Sequence, residues 1–413
     1  MTRTAAPGPP RARDPYGIGP VGSFIGPALS VLGLVLVGVL TLSLLNGEVP
    51  FLTSGRSNGG TTGGPVTPGR TAAPSNVVIV PEEAAFDGSM VYAKDGNIWI
   101  QRDKDVHQLT DGGGDSMPSW SPDGAWVYFV RTHAEFSDWL KAGRPSHYLL
   151  AVPDIMRVPA DGSGAPQRIT SGRIRRGRYV WSAWMRQPVL SPDGKTIALV
   201  TDAPQPDQSN VVLQFWDVAR KRLTRAGVHE NDVLGHQDPE WRADGLVLLY
   251  TQNGRDGPRG APVIMRYDVR TKRARAVTST GYMQPSFSPD GRYIAATRQT
   301  TLGTDVAVLD AASGHELLRL TDDAASWAPV WSPAGDGIAF LHIVGQTVDL
   351  RLAKLEGPAG SWTVAKTIDL TDVSGLDAES RPDWFIPANL LPAVEPSPGA
   401  AGGSGPPSGT TSP

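Results

Sequence analysis

The chain contains no cysteine. It therefore has no disulfide bonds, no thiolate metal site and no cysteine through which a lipid could anchor it to a membrane. Its formal net charge is only −3 at pH 7, which predicts no nucleic-acid partner. Any attachment to a membrane must come from another feature of the sequence.

Charge is also missing from one long N-terminal stretch. No charged residue occurs between Pro15 and Gly47, and Phe24 to Leu45 is a continuous run of apolar and small residues. As a helix this run would be about 33 Å long, enough to cross a hydrocarbon core of about 30 Å. We predict a single transmembrane helix over residues 24–46.

The residues on either side of this run indicate its orientation. Arg3, Arg11 and Arg13 precede it, whereas Glu48 follows it. The positive side faces the cytoplasm, so the tail 1–23 is predicted to be cytoplasmic and the rest of the chain extracytoplasmic. A cleaved signal peptide is the alternative, but the run is longer than a typical signal core and no Ala-x-Ala pattern follows it.

Two further segments have the composition of unstructured chain. Residues 47–76 are rich in Gly, Thr and Pro, and we predict a flexible linker with a reach of roughly 25 to 30 Å. Residues 391–413 are rich in Gly, Pro and Ser and are predicted to be a disordered tail. The folded body is left as residues 77–390.

One heptapeptide recurs along this body. It reads PSWSPDG at Pro118, PVLSPDG at Pro188, PEWRADG at Pro239, PSFSPDG at Pro285 and PVWSPAG at Pro329, with a truncated PDW at Pro382. Pro, Asp and Gly favour a tight turn, and each full copy is followed by a short apolar run typical of a strand buried on both faces. The motif therefore predicts strand, turn and strand, and its aspartates and tryptophans are interpreted as turn formers and core residues.

The spacing of the repeats indicates the architecture. Repeats roughly forty to fifty residues apart, with room for four strands each, are typical of propeller blades. Six units are present, so we predict an all-β fold, a six-bladed β-propeller preceded by the transmembrane helix. The unpaired PDWFI at Pro382 is predicted to close the ring as the inner strand of blade one, with Val77 to Val80 as the alternative.

Repeats of the form PxWSPDGxxIAF resemble the WD-like propeller repeats of the TolB family, over roughly residues 77–387. The resemblance implies a six-bladed propeller that binds proteins in the cell envelope. The chain has an anchor and a linker where that family has a small N-terminal α/β domain. The repeats are also similar to the propellers of prolyl-oligopeptidase-type hydrolases, but the chain has no Gly-x-Ser-x-Gly elbow.

The sequence has no other signature of catalysis. It contains no HExxH, no Walker A loop and no glycine-rich dinucleotide fingerprint. We therefore predict no enzymatic activity, no catalytic residue, no cofactor and no metal. A lyase or hydrolase that acts on acidic saccharide in the central funnel is one alternative, and a structural assembly subunit is another.

Polar residues ahead of the motif prolines form the first candidate site. These positions are predicted to lie at the mouth of the central channel, where a ligand would meet them. The residues are Arg186, Gln187, His236, Asp238, Gln284 and Arg381. The alternative is that they only hydrate a water-filled channel.

Two insertions in blade two form the second candidate site. One follows strand B from Arg131, and the other spans Ser171 to Gln187, between strand D and the next strand A. Loops between strands B and C and between strands D and A emerge on one side of a propeller, so we expect the two insertions to be neighbours. The second insertion is basic and aromatic and has no acidic residue. Its candidate ligand-binding residues are Arg173, Arg175, Arg176, Arg178, Trp181, Trp184 and Arg186. The alternative is a solvated loop whose tryptophans pack on a blade.

Together these features predict a binding module. We expect an anchored propeller in the cell envelope that recognises an envelope protein, a peptide or an anionic polymer through the loops of one face.

Overall fold

The structure, a computed structural model, describes residues 77–391 except 142–143, 178, 207–209, 229–234 and 254–260. The predicted cytoplasmic tail, transmembrane helix and linker lie outside the described residues, and so does the predicted C-terminal tail apart from Leu391. Within the described ranges no helix is long and apolar enough to cross a membrane.

Short strands make up almost all of the regular structure. In chain order they are β1 (Ser89–Lys94), β2 (Asn97–Arg102), β3 (Asp105–Gln108), β4 (Asp115–Trp120), β5 (Trp126–Lys141), β6 (Arg144–Pro159), β7 (Gln167–Ser171), β8 (Arg173–Arg176), β9 (Tyr179–Ser182), β10 (Met185–Leu190), β11 (Thr196–Thr201), β12 (Val212–Asp217), β13 (Arg222–Arg225), β14 (His236–Trp241), β15 (Val247–Gln252), β16 (Val263–Asp268), β17 (Arg273–Ala276), β18 (Tyr282–Phe287), β19 (Tyr293–Gln299), β20 (Thr304–Asp310), β21 (Glu316–Arg319), β22 (Ser326–Trp331), β23 (Gly337–Val344), β24 (Thr347–Glu356), β25 (Thr363–Asp369) and β26 (Asp383–Phe385). A short 3-10 helix, Ala388–Leu390, follows the last strand.

The strands of the described residues form six four-stranded antiparallel sheets and one two-stranded sheet. From the innermost strand outwards, blade one is β26-β1-β2-β3, blade two β4 to β7, blade three β10 to β13, blade four β14 to β17, blade five β18 to β21 and blade six β22 to β25. Innermost strands of neighbouring blades contact each other in turn around the ring. The predicted all-β six-bladed propeller is confirmed.

The motif aspartate organises the turn between the first two strands of a blade. In blade two the Ser121 hydroxyl donates to Asp123 Oδ1 at 2.5 Å, and the Ala125 amide donates to the same oxygen at 3.1 Å. The Ser121 Oγ also accepts a hydrogen bond from the Trp126 amide at 2.9 Å. These bonds lower the pKa of Asp123, with the Ser121 bond as the largest cause. The interpretation of the motif aspartates as turn formers is confirmed.

Apolar side chains fill the spaces between the blades. The motif tryptophans Trp120, Trp331 and Trp384 are 7%, 4% and 5% exposed and belong to these interblade clusters, as the sequence predicted. Trp241 is different because it is only partly buried and lines a groove between blades three and four. Burial of such rings accounts for much of the interblade packing.

The last strand closes the ring. β26 pairs with β1 through Ser89↔Phe385, Met90↔Trp384 and Val91↔Asp383. The Trp384 indole packs edge-on against Phe86 and donates to the Asp87 carbonyl at 2.8 Å. The predicted C-terminal clasp is therefore confirmed. The alternative closure by Val77 to Val80 is wrong, because that segment lies along blade six, where the Asp372 amide donates to the Ile79 carbonyl.

Candidate functional site

The same backbone geometry recurs in the innermost strands of five blades. The residue before the motif proline has a positive φ, between 52° and 55°, and the pairing register shifts there, in five blades: at Met117, Gln187, Asp238, Gln284 and Ala328. A left-handed conformation costs a non-glycine residue about 1 to 2 kcal/mol, so another interaction must offset it. At Met117, Asp238, Gln284 and Ala328 the backbone amide donates to a side chain of a neighbouring blade or of the clasp segment.

A ladder of hydrogen bonds between blades supplies that interaction. The Asp238 amide donates to Gln187 Oε1 at 2.9 Å, and the Gln187 Nε2 donates back to Asp238 Oδ1 at 2.5 Å. Blade five repeats the pattern, because the Gln284 amide donates to Thr251 Oγ1 at 3.0 Å and the Ala328 amide to Gln284 Oε1 at 3.1 Å. The candidate ligands Gln187, Asp238 and Gln284 thus hold the blades together.

The Arg381 guanidinium crosses the channel from the clasp. It donates to Glu240 Oε2 of blade four at 2.7 Å and to the Pro285 carbonyl of blade five at 2.6 Å. Burial acts to lower the pKa of Arg381, but the carboxylates of Glu240, Asp238 and Asp383 outweigh it and raise that pKa. For the three carboxyl groups, burial is the largest cause and raises each pKa, while Arg381 opposes the shift.

The channel at this level has little open space. The cavity beside Gln187, Asp238 and Arg381 has a volume of about 30 Å³, enough for water but not for a peptide or saccharide. These side chains form the polar centre of the ring. A ligand larger than water would contact these side chains only from the open end of the channel.

His236 does not lie at the channel mouth, where the sequence placed it. The residue is 0% exposed, its Nδ1 accepts a hydrogen bond from the Leu213 amide at 3.1 Å, and its ring packs 4.6 Å from that of Tyr250. It is a packing residue between blades three and four. Among the described residues no cluster of His, Asp or Glu is arranged to hold a metal ion.

The two insertions of blade two are β-hairpins that pack together. The first extends β5 and β6 to 16 residues each, and the second forms the sheet β8-β9. The Val180 amide donates to Ser137 Oγ at 3.0 Å, and the Ser182 hydroxyl donates to the Ala151 carbonyl at 2.5 Å. The predicted proximity of the two insertions is confirmed, although they are regular hairpins.

The arginines of the second hairpin are less free than their sequence indicated. Arg173 forms a bidentate ion pair with Glu135 of the first hairpin, with both N···O distances 2.7 Å. Arg176 lies over the Trp181 ring at 4.9 Å, and Arg175 Nε donates to the Gly177 carbonyl at 3.3 Å. The segment itself contains no carboxylate, as its sequence shows, but Glu135 of the first hairpin, distant in sequence, supplies one to Arg173. Arg178 lies outside the described residues.

A groove separates the first hairpin from the channel mouth. Its volume is about 500 Å³, and its walls include Tyr148, Leu149, Trp184 and Met185. Leu149 and Trp184 are 61% and 46% exposed, unusually open for large apolar side chains on adjacent elements. Sequence reasoning identified Trp184 but missed the apolar wall of β6, which the run Tyr148 to Leu150 could have indicated.

Charged groups lie at the inner end of this groove. Arg186 lines it, its guanidinium lies 5.7 Å from the Trp184 ring centre, and its Nη2 is 3.7 Å from Glu379 Oε2. Its Nε is buried and has no hydrogen-bond partner among the described residues. Burial lowers the pKa of Arg186, while the neighbouring carboxylates Glu379 and Asp238 oppose the shift. The groove therefore combines apolar walls with a desolvated cation that can donate a hydrogen bond to a further acceptor group.

The structure thus brings together some of the predicted site residues and separates others. Trp184 and Arg186 share the groove. Gln187, Asp238, Gln284 and Arg381 form the channel network below it. Arg173, Arg175, Arg176 and Trp181 are in the second hairpin, and His236 is in the core.

Comparison with known proteins adds the following. No protein-family model matches the chain. The chain is similar to the Tol-Pal system protein TolB of Francisella tularensis subsp. tularensis (strain WY96-3418), with 27% identity over 228 residues, which is 55% of this chain and 45% of that protein. The match thus spans less than half of the relative's length.

Solved structures show the same fold. The crystal structure of TolB from Acinetobacter baumannii superposes with a TM-score of 0.51 at 19% identity, covering 74% of this chain and 68% of that one. The structure of putative TolB from Agrobacterium tumefaciens gives 0.51 at 16% identity, covering 74% and 96%. The described part of this chain is therefore a TolB-like six-bladed β-propeller.

Proposed function

We propose that this protein is a non-catalytic binding module of the cell envelope that holds a segment of a partner protein in the groove of blade two. One observation carries the proposal, namely that two exposed apolar side chains, Leu149 and Trp184, both line a groove of about 500 Å³. Apolar and aromatic side chains around a depression are typical of protein-binding hot spots. Similarity to a Tol-Pal system protein supports an envelope protein as the partner.

The groove can recognise the backbone and the side chains of an extended segment. Residues 147–150 of β6 pair with β5 on one side and with no other strand among the described residues, whereas the Ala151 carbonyl already accepts the Ser182 hydroxyl. An extended peptide can hydrogen-bond to such an edge, and its side chains then enter the neighbouring groove. Arg186 at the inner end would donate a hydrogen bond to a carbonyl or carboxylate oxygen of the segment.

The sequence supplies the proposed location. The apolar run within residues 24–46 would anchor the chain in the cell membrane as a single-pass helix with its N-terminus in the cytoplasm. The linker 47–76 would then separate the propeller from the membrane on the extracytoplasmic side.

Site-specific photocrosslinking in intact cells tests the proposal. A photoreactive amino acid at Leu149 should yield one discrete adduct with an envelope protein. The same amino acid at Leu302, which is 84% exposed on blade five, serves as the control and should yield none. Absence of an adduct at Leu149, or the same adduct from both positions, would contradict the proposal.

A further inference from the structure

A dense group of cations covers the outer strands of blades three and four, away from the groove of blade two. Residues 215–225 and 263–276 together contain nine basic residues and two acidic ones, in a chain whose net charge is −3. Seven of the nine are arginines, which recognise oxyanions through a planar fork of donors. We call this group the basic rim: Arg220, Lys221, Arg222, Arg225, Arg266, Arg270, Lys272, Arg273 and Arg275.

The two carboxylates of these segments already have partners within their own turns. Asp217 accepts hydrogen bonds from the Arg220 amide at 2.7 Å and from its guanidinium at 2.8 Å. Asp268 accepts bonds from the amide and hydroxyl of Thr271 at 2.6 and 2.7 Å. Most of the rim therefore has no counter-ion among the described residues. Arg270 is near enough to Asp268 to help lower the pKa of that carboxyl. The exposed side chains without an ion pair among the described residues include Lys221, Arg222, Lys272, Arg273 and Arg275.

Two of the rim arginines lie directly opposite each other on adjacent strands. Arg266 of β16 is the register partner of Arg275 of β17, and directly opposed like charges destabilise a sheet. Burial and the nearby guanidinium groups of Arg242 and Arg275 lower the pKa of Arg266, while Asp268 and Asp244 oppose the shift. An anion bound beside Arg266 and Arg275 would offset their repulsion.

The cations lie on both faces of blade four. Arg222 borders a cavity of about 410 Å³ between blades three and four, together with Phe215 and Trp241. Arg266 pairs in register with Leu249, which packs in the core with Phe287 of blade five, so Arg266 and Arg275 face blade five. The two sets of cations thus lie on opposite faces of blade four.

This placement selects the kind of ligand. Packed sheets are about 10 Å apart, so a single small anion can reach the cations of only one of the two faces of blade four. A flat bilayer would reach the tips of the side chains but not the spaces between blades. We infer that the basic rim binds a linear polymer that carries phosphate groups along its length, with Phe215 and Trp241 contacting a ring of its repeat unit.

The test uses the full chain in a neutral detergent and long-chain inorganic polyphosphate as the probe. Binding is measured by calorimetry at two salt concentrations. The rim variant is Arg222→Ser/Arg273→Ser/Arg275→Ser, and the control variant, Lys104→Ser/Arg292→Ser/Lys366→Ser, removes three exposed cations from blades one, five and six. We expect binding by the unchanged protein, weakening of about tenfold or more in the rim variant with a shallower salt dependence, and a change of less than about twofold in the control.

A second variant distinguishes a loss of polyphosphate binding from a loss of folding. Arg275→Glu places a carboxylate opposite Arg266, so the melting temperature should rise while polyphosphate binding weakens. Three results would overturn the inference: no polyphosphate binding by the unchanged protein, equal weakening in the rim and control variants, or polyglutamate bound as tightly as polyphosphate. Binding only to vesicles of anionic phospholipid would overturn it as well.

Discussion

The Arg381 side chain is predicted to be the main polar support of ring closure. It is only 18% exposed and connects the clasp to Glu240 of blade four and to the Pro285 carbonyl of blade five. Arg381→Met keeps most of the side-chain volume but removes the charge. Glu240, itself 19% exposed, would then be a buried carboxylate without its cation, beside Asp238 and Asp383.

The expected cost follows from this burial. Removing one partner of a buried ion pair costs about 3 to 5 kcal/mol, and partial solvent access favours the lower end, about 3 kcal/mol. For a domain of this size we expect the melting temperature to fall by about 5 °C. Glu240→Gln in the same chain removes the unpaired charge, so Arg381→Met/Glu240→Gln should recover most of the lost stability.

The pH dependence gives an independent check on the same reasoning. Without Arg381 the folded-state pKa of Glu240 rises further above its unfolded value, because burial already raises it. The folded variant then holds a proton that the unfolded chain releases, so it regains stability as the pH falls towards that pKa. Arg381→Met should therefore be less destabilising at pH 5 than at pH 8, as measured by thermal unfolding. A loss below about 1 kcal/mol, or an equal loss at both pH values without rescue by Glu240→Gln, would refute the account.

Three further predictions concern stability. Burial raises the pKa of Asp202 to about 6, although the hydrogen bond from the Trp184 amide opposes this shift. The free energy of unfolding therefore falls as the pH rises from 4 to above 6. Asp202→Asn should reduce the difference in unfolding free energy between pH 5 and 7 by about 1 kcal/mol, measured by denaturant titration. Trp384→Ala, at 5% exposure in the clasp, should cost about 3 to 5 kcal/mol in the same assay, and Trp184→Ala, at 46% exposure, less than about 1 kcal/mol. Asp123→Ala, which removes the acceptor of the Ser121 and Ala125 hydrogen bonds, should cost about 1 to 2 kcal/mol. Equal losses for the two tryptophan variants, an unchanged pH dependence in Asp202→Asn, or no loss in Asp123→Ala would contradict the respective assignments.

The ring could be predicted from the sequence because its determinants are local. The SPDG turn forms from hydrogen bonds within six residues, Ser121 to Trp126, and it recurs unchanged at Ser191 and Ser288. The clasp was predictable for the same reason, since PDW at Pro382 repeats the motif of the inner strand. Both features depend on short stretches of chain.

The site was only partly predictable because its properties arise between distant segments. Arg173 is neutralised by Glu135, and His236 is buried against Leu213 of another blade. No local pattern shows these pairings. Of the polar residues predicted at the channel mouth, Gln187, Asp238, Gln284 and Arg381 lie together around the channel, whereas His236 is in the core. Whether Gln187 and Asp238 bind each other or a ligand depends on the width of the channel.

The blade-two face and the clasp are also connected. Met117, which lines the groove, donates its backbone amide to Ser380 Oγ of the clasp segment at 3.1 Å. Glu379, the neighbour of Arg186 in the groove, belongs to the same segment. Ring closure therefore positions one end of the proposed binding site.

The measurement that tests the central claim most directly is the affinity of the full chain for the envelope protein crosslinked at Leu149. Leu149→Asp places a charge on the apolar wall of the groove, whereas Leu302→Asp places one at a still more exposed position on blade five. We predict that Leu149→Asp weakens binding by about 2 kcal/mol or more, roughly thirtyfold, and that Leu302→Asp leaves it unchanged. Equal affinities for the two variants would contradict the assignment of the groove as the protein-binding site.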